Sequence, residues 1–361
     1  MVIYLPVDVI GNNIMNKRYQ IYCFISLIFV VGLHISFPQY SGAADNIQQS
    51  AAASLRYPVV DNHLHYFDFT QQSDGFPALV KAMDEAGVER AVVFGMPLVK
   101  MWPEHEPIRP DYYLDTDARA YYFSATDLLL ANELLRQPTE IKDRFLPFLG
   151  GINPLDQNAA DYLELVLNSY PRGFWKGIGE IMSRHDDLTA FTYGEPPRAD
   201  HPALMKVYRL AAEKKLPVLI HHNISSAVKQ NPIYLKELEN ALRENPQTRI
   251  IWAHAGISRR VIVPTLIAEL RRVLAACPNL SVDISWVVYP EYIGKDKESL
   301  KNWAALLEEF PERFMIGSDK VAHWKGYREE IRKYDLLLDL LKPETARKVT
   351  RENILRIVDV K

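Results

Sequence analysis

Histidines in the spacing of metal ligands occur where the first apolar run of the chain ends. In DNHLH (61–65), His63 and His65 are two residues apart. Residues i and i+2 of a β-strand point to the same side, with Cα atoms roughly 6–7 Å apart, so both imidazoles can bind one metal ion. Two ordinary histidines at a strand end would show the same spacing. The pair therefore indicates a metal site only in combination with other ligands.

A buried carboxylate is indicated further along the chain. Glu180 lies between aliphatic residues in GIGEI (177–181). A carboxylate in such surroundings is costly unless it is paired or bound to a metal. Glu180 is therefore a candidate metal ligand. A salt bridge to Lys176 or Arg184 is the competing interpretation.

Three more apolar runs end in residues of the same types. The run at 216–222 ends in two histidines whose side chains point in opposite directions, and we expect His221 rather than His222 to face the site. His254 follows the next run, and Asp319 follows the last one. A helix cap would explain Asp319 equally well. The combination of these residues at successive strand ends favours a shared metal site.

Short aliphatic or β-branched runs alternate eight times with longer amphipathic segments, which predicts βα units around a parallel sheet. Eight such units in roughly 300 residues are typical of a (β/α)8 TIM barrel. The alternative, an open doubly wound sheet, would require a glycine-rich GxGxxG loop after the first strand, and the sequence has none there. The predicted strands are Tyr57–His65, Ala91–Met96, Phe145–Ile152, Gly177–Ile181, Pro217–His222, Arg249–His254, Leu280–Ser285 and Phe314–Ser318.

Long segments between the predicted elements are expected to build the rim of the site. Insertions at Leu98–Thr126 and Met182–Asp200 follow the second and fourth strands. Loops in these positions lie at the C-terminal mouth of a barrel. Two helices near Tyr327–Leu341 and Pro343–Ile357 are expected to close the chain.

The ordered motifs resemble those of the amidohydrolase superfamily, in the branch of the aminocarboxymuconate semialdehyde decarboxylase-like enzymes. The resemblance extends over residues 59–358. It implies a distorted (β/α)8 barrel with one or two divalent metal ions at its C-terminal mouth. The motifs that carry it are DNHLH (61–65), GIGEI (177–181), LPVLIH (216–221), WAHAG (252–256) and RFMIGSD (313–319).

The resemblance also implies how the metal is held. In a two-metal member His221 and His254 bind the second ion, whereas in a one-metal member His221 completes the first site and His254 contacts substrate or water. His and carboxylate ligands suit Zn²⁺, with Mn²⁺ as the next choice. The implied ligands are His63, His65, Glu180, His221, His254 and Asp319.

This chemistry predicts a metal-dependent hydrolase that cleaves an amide, lactone or ester of a small molecule. Asp319 would take a proton from water and return it to the leaving group, and His254 is the second candidate catalytic residue. The same ligands also serve a decarboxylase that acts on a small carboxylic acid, and ligand type does not separate the two reactions.

Loop residues are expected to select the substrate, and Arg184 is a candidate partner for a substrate carboxylate. Ordinary packing or solvation is the competing interpretation for each loop residue. The other candidates are Trp102, His105, His185, Trp286, Tyr289, Lys320 and His323.

The N-terminal 44 residues have the order of a secretory signal peptide. A basic pair, Lys17 and Arg18, precedes an apolar run at 21–37, and small residues follow. We therefore predict a periplasmic or secreted protein without a stable membrane anchor after cleavage. Residues 45–56 would be a linker and 57–361 the catalytic barrel.

Composition restricts the class of partner. The chain of 361 residues has a net charge of −3 and is 48% hydrophobic, as expected of a globular protein. With no basic excess, nucleic acid is not expected as a partner. A small-molecule substrate is expected, and assembly into a homo-oligomer stays open.

Overall fold

Eight short apolar runs form the parallel strands of a barrel in this computed structural model, which describes residues 56–185 and 187–358. The strands follow chain order in the sheet, and each is parallel to its neighbours. The Asn62 amide donates to the Ile316 carbonyl at 3.2 Å, which joins the first strand to the last. The predicted distorted (β/α)8 TIM barrel is confirmed. The strands are β1 (Val59–Asp61), β2 (Val88–Val93), β3 (Phe145–Leu149), β4 (Gly177–Met182), β5 (Val218–His221), β6 (Ile250–Trp252), β7 (Leu280–Asp283) and β8 (Phe314–Met315).

The first predicted strand, Tyr57–His65, is shorter in the structure because its end forms a separate pair with the chain that follows β8. After β1 the chain forms a separate short strand, Leu64–His65, which pairs in parallel with Lys320–Val321. The Asp319 amide donates to the His63 carbonyl at 2.8 Å. Two motifs that are far apart in sequence are thereby joined through their backbones.

Helices follow the first seven strands and cover the outside of the barrel. In the fifth of these, Leu235, Leu238, Ala241 and Leu242 are buried, as expected of a helix with one apolar face. The helices are α1 (Phe76–Ala86), α2 (Ala125–Leu135), α3 (Ala159–Asn168), α4 (Pro202–Lys214), α5 (Leu235–Glu244), α6 (Leu266–Ala276) and α7 (Lys297–Glu309).

The two closing helices differ from the prediction, because each is interrupted. The first divides into Tyr327–Arg332 and Asp335–Leu338, and buried Tyr334 between them donates its hydroxyl to the Ile284 carbonyl at 2.7 Å. In the second, a wide helical turn at Lys348–Glu352 separates two short helical segments. The Tyr334 hydroxyl anchors the first interruption to the chain after β7.

Alternate strand residues face the barrel axis and form an interior core of their own, separate from the core under the helices. On β5, Leu219 belongs to the interior, whereas its neighbours Val218 and Ile220 pack under the helices. The interior core contains Val60, Val92, Phe94, Leu146, Phe148, Leu219, Ile251, Ala253 and Met315, with Ile354, Leu355, Ile357 and Val358 from the closing helix.

Both predicted insertions are built largely of loops. The first contains an antiparallel pair of strands, Leu98–Lys100 and Ala120–Tyr122, and the second contains a short helical turn at Leu188–Phe191. The predicted signal peptide at 1–44 lies outside the described residues, as does the predicted linker except for Arg56. No helix among the described residues is long and apolar enough to cross a membrane.

Candidate metal centre

The six residues predicted as ligands lie together at the C-terminal ends of the strands. Their ligand atoms form three overlapping groups, and within each group the atoms lie within 4.8 Å of one another. All are buried except Asp319, whose side chain is 11% exposed. The groups are His63, His65 and Glu180; His63, His254 and Asp319; and Glu180, His221 and His254.

Glu180 lies between two pairs of histidines. Its Oε2 atom is 3.5 Å from His63 Nε2 and 3.2 Å from His65 Nε2. Its Oε1 atom is 3.3 Å from His221 Nδ1 and 3.5 Å from His254 Nε2. One carboxylate oxygen thus faces each pair, an arrangement suited to a carboxylate shared between two cations.

The alternative salt bridge to Glu180 is absent among the described residues. Arg184 instead forms a two-pronged pair with Glu237, with both N–O distances 2.7 Å, and its guanidinium stacks over Tyr234. No ion pair joins Lys176 to Glu180 in the described part of the chain. The expectation that Arg184 is available for a substrate carboxylate is also wrong, because Glu237 already occupies its guanidinium fork.

Two buried atoms at the centre have no hydrogen-bond partner among the described residues. They are His63 Nε2 and Glu180 Oε2, which face each other across 3.5 Å. Burying polar atoms without partners is costly, and a divalent cation ligated by both would satisfy them. The donor set of imidazole nitrogens and carboxylate oxygens fits such an ion.

Each predicted histidine ligand directs one nitrogen into the cluster and the other toward a neighbouring polar group, the arrangement that prepares a neutral imidazole for a metal. The His63 Nδ1–H donates to Asp283 Oδ2 at 2.9 Å. The outward nitrogen of His221 is Nε2, which lies 3.0 Å from Asn223 Oδ1. For the other two ligands, the outward contacts are His65 Nδ1 to Gly95 O at 3.4 Å and His254 Nδ1 to Ser285 Oγ at 2.9 Å.

The structure separates the doubled histidines at the end of β5. His221 lies two residues after the interior residue Leu219 and joins the cluster. His222 points the other way, with Nδ1 3.0 Å from Ser183 Oγ and Nε2 3.2 Å from the Tyr234 carbonyl. Burial lowers the pKa of His222 to about 3, so this ring is neutral and structural.

The carboxylates of the cluster create a strong local field. Burial opposes charge on His63, but Glu180, Asp283 and Asp319 outweigh it and raise the pKa of His63 well above its usual range. Burial likewise opposes ionisation of Glu180, yet the facing histidines hold its pKa well below its usual range. Excess negative charge at this point attracts cations, whether protons or metal ions.

Left-handed backbone conformations also concentrate around the cluster. Four non-glycine residues there, His254, Ala255, Trp286 and Asp319, have φ between 51° and 57°. Such conformations are uncommon for non-glycine residues, above all for Ala and Trp, and persist where the surrounding structure enforces them. Here they turn the chain at strand exits and direct side chains toward the axis.

Sequence reasoning missed Asp283, the residue that links two of the histidines. It is fully buried at the end of β7, and its Oδ2 also accepts from Ser285 Oγ at 2.6 Å, the hydroxyl bonded to His254. Burial opposes its ionisation, but hydrogen bonds from His63 and Ser285 hold the pKa of Asp283 below its usual range. The signal was present, since LSVD also ends an apolar run in a carboxylate.

A second missed carboxylate, Asp61, joins the first and last strands. It accepts from Ser318 Oγ at 2.6 Å, from the Ser318 amide at 2.9 Å and from the Tyr327 hydroxyl at 2.8 Å. This bonding holds the loop carrying His63 against the loop carrying Asp319. Asp61 therefore positions ligands from opposite edges of the sheet.

Replacing Asp283 with Asn is expected to weaken zinc binding about 10- to 100-fold, because the amide can still accept from His63 but no longer supplies negative charge. Competition against a chromophoric zinc chelator measures the change. Asp161→Asn, at an exposed position of α3, is the matched control. An unchanged zinc affinity in Asp283→Asn would show that Asp283 does not tune the histidines.

The residues predicted to line the rim of the site differ in their contacts and exposure. Trp286 and His185 lie against the cluster, with ring centroids 5.2 Å from His254 and 4.4 Å from His221 respectively. The side chains of Trp102 and His105 are largely exposed. The remaining candidates, Tyr289, Lys320 and His323, contact Tyr334, the Lys325 carbonyl and Asp74 respectively.

Comparison with known proteins agrees with this architecture. The amidohydrolase family model matches residues 60–360. The chain therefore belongs to the amidohydrolase family. Its members are metal-dependent enzymes, so this protein is an enzyme of a family that uses divalent metals. A search of curated protein sequences finds no match.

Solved structures share the fold at low identity. A zinc-bound amidohydrolase from Burkholderia multivorans has a TM-score of 0.54 at 13% identity, covering 84% of this chain and 99% of that one. A 2,6-dihydroxybenzoate decarboxylase from Rhizobium gives 0.52 at 14%, covering 84% and 99%. A dihydroorotase from Campylobacter jejuni gives 0.52 at 16%, covering 84% and 83%. One fold thus carries both hydrolases and decarboxylases.

Proposed function

We propose that this enzyme is a two-metal hydrolase that uses zinc to cleave an amide, lactone or ester of a small molecule. The observation that supports this proposal is the position of Glu180, whose two oxygens face separate histidine pairs at 3.2–3.5 Å. His63 and His65, with Asp319, would hold one ion. His221 and His254 would hold the other, with Glu180 shared between them.

Zinc is the proposed metal because imidazole and carboxylate donors suit it, with manganese next. The Burkholderia amidohydrolase with this fold was solved with bound zinc, which supports the choice. Zinc held there would act as a Lewis acid that polarises a carbonyl oxygen and lowers the pKa of water.

The chain's own residues supply the proton transfers of the proposed reaction. Asp319 is the most exposed of the six residues and lies 3.4 Å from His63 Nε2 and 4.0 Å from His254 Nε2. From this position its carboxylate would take the proton of the attacking water and then deliver it to the leaving nitrogen or oxygen. His254, whose Nδ1 lies 2.9 Å from Ser285 Oγ, would hold the second ion through Nε2 beside this carboxylate.

Metal stoichiometry tests this proposal. Wild-type protein is expected to hold two zinc ions per chain by elemental analysis, and Glu180→Gln one or none, because a neutral amide does not bridge two cations. We expect hydrolysis of the best substrate from a panel of aryl esters, lactones and amides to fall at least about 100-fold, because a shared metal ligand is lost. Glu195→Gln, at an exposed position of the loop after β4, is the control.

One result would favour a decarboxylase over the proposed hydrolase. If the wild-type protein and Glu180→Gln each held a single ion, Glu180 would not bridge. Release of CO₂ from a small carboxylic acid by both proteins would then identify a one-metal decarboxylase.

A further inference from the structure

Two adjacent arginines at the rim of the barrel have different partners. Arg260 forms an ion pair with Asp187. Arg259 forms no ion pair with any residue in 56–185 or 187–358. Its Nη1 donates to the hydroxyls of Tyr112 and, at 3.4 Å, Tyr113. Its Nε and Nη2 groups donate to no residue in those ranges, so one edge of the guanidinium has no protein partner.

Arg259 lies next to the metal centre through one aromatic side chain. Its guanidinium carbon is 5.2 Å from the centroid of Trp286, and the same ring is 5.2 Å from His254 and 6.3 Å from His221. Trp286 is held in a left-handed conformation, with φ of 57°, and its carbonyl accepts from Lys333 Nζ at 2.9 Å. The Trp286 ring therefore lies between Arg259 and the cluster, on a backbone that Lys333 contacts.

The surroundings of Arg259 are aromatic on more than one side. Tyr112 lies under the guanidinium at 5.5 Å, and Tyr113 packs at 6.0 Å from His185, which in turn stacks on His221. Planar rings thus extend from the arginine to the histidine ligands. Such walls suit a flat organic body, whose faces pack on rings while its edges carry the polar groups.

The surroundings of Arg259 keep its guanidinium positively charged. Burial opposes the charge of Arg259, but the Tyr112 hydroxyl and the field of Asp319 raise its pKa, so it stays cationic. Asp319 does not neutralise it by direct contact, since no ion pair joins the two residues. A cation with a free hydrogen-bonding edge beside an anionic metal site favours a ligand with its own negative group.

We propose that Arg259 binds a carboxylate of the substrate through its Nε and Nη2 edge, while Trp286 and Tyr112 pack against a planar substrate body. The two parallel N–H groups of this edge match the geometry of a carboxylate. The substrate is thus a planar amide, lactone or ester that carries a separate carboxylate. The reaction rests on the proposed hydrolase, but carboxylate binding at Arg259 does not.

Ligand binding tests this assignment without requiring turnover. Zinc-loaded protein is titrated calorimetrically with 3-carbamoylbenzoate and with its neutral analogue isophthalamide. The wild type is expected to bind the carboxylate about 10- to 100-fold more tightly, as for hydrogen bonds to a charged group. Arg259→Gln should lose this preference and keep its zinc, and Arg259→Lys should retain part of it. Arg209→Gln, at an exposed position of α4, is the charge-matched control.

The outcomes separate this inference from the proposed function. Equal affinity of the wild type for both compounds, or an undiminished preference in Arg259→Gln, would overturn the role of Arg259. If the preference depends on Arg259 while the wild type holds one ion and hydrolyses none of the panel, carboxylate recognition stands and the hydrolase proposal fails. Thermal unfolding of each variant shows that the fold is retained.

Discussion

Replacing His65 with Ala is expected to abolish binding of zinc at the His63–His65 pair and to reduce hydrolysis of the panel substrate by at least about 10³-fold. The loss corresponds to several kcal/mol of transition-state stabilisation by the metal. Substitution of His65 tests metal binding more cleanly than substitution of His63. Its outward contact to the Gly95 carbonyl is long, at 3.4 Å, so its removal disturbs little besides the metal.

The companion variant His63→Ala should have the same effect on zinc and a larger effect on stability. Its imidazole donates to the buried Asp283 at 2.9 Å, and removing it leaves that carboxylate without this partner. Elemental analysis, turnover and thermal unfolding are measured together. His105→Ala, at an exposed rim position, is the control. Full zinc content and undiminished turnover in His65→Ala would refute the ligand assignment.

Replacing Asp319 with Asn is expected to lower kcat about 10²- to 10⁴-fold, the range for loss of a general acid–base group. Asn suits this position because its backbone φ is 52°, in the left-handed region that Asn tolerates. The amide hydrogen bond from residue 319 to the His63 carbonyl is also preserved. The variant thus removes a proton acceptor with little change in the backbone.

Two controls make the Asp319 result specific. Turnover is measured at saturating zinc, with the zinc content of each sample determined, because Asp319 is also a proposed ligand. Asp161→Asn, at an exposed position of α3, is the second control. A zinc-saturated Asp319→Asn enzyme within a factor of about three of wild type would exclude this carboxylate as the proton acceptor, because general bases contribute far more.

Local patterns predicted the barrel well because strand and helix formation depend largely on the hydrophobic periodicity of neighbouring residues. Apolar runs ending in polar residues indicate buried strands that emerge at one edge of a parallel sheet, and this holds at β1, β4, β5, β6 and β8. The period of two on β5 also indicated that His221, rather than His222, faces the axis. The closing helices were predicted as continuous, but both are interrupted, the first beside buried Tyr334.

These local patterns did not predict which side chains contact each other across long distances in the sequence. Asp283 bonds His63 from 220 residues away, and nothing in the sequence near either residue indicates the pair. Arg184 and Arg259 are alike as residues after strand ends. Only the fold brings Glu237 to the first of them and leaves the second beside Trp286.

The amino-acid sequence by itself determined the order of strands and helices, the kinds of ligand at the strand ends and the family. These depend on hydrophobic periodicity and on residue types within a few positions of one another. The tertiary structure decided which carboxylate lies between which histidines, which nitrogen of each ring faces inward, and which arginine keeps a free edge. These depend on distances between residues on different strands, which are set when the barrel closes.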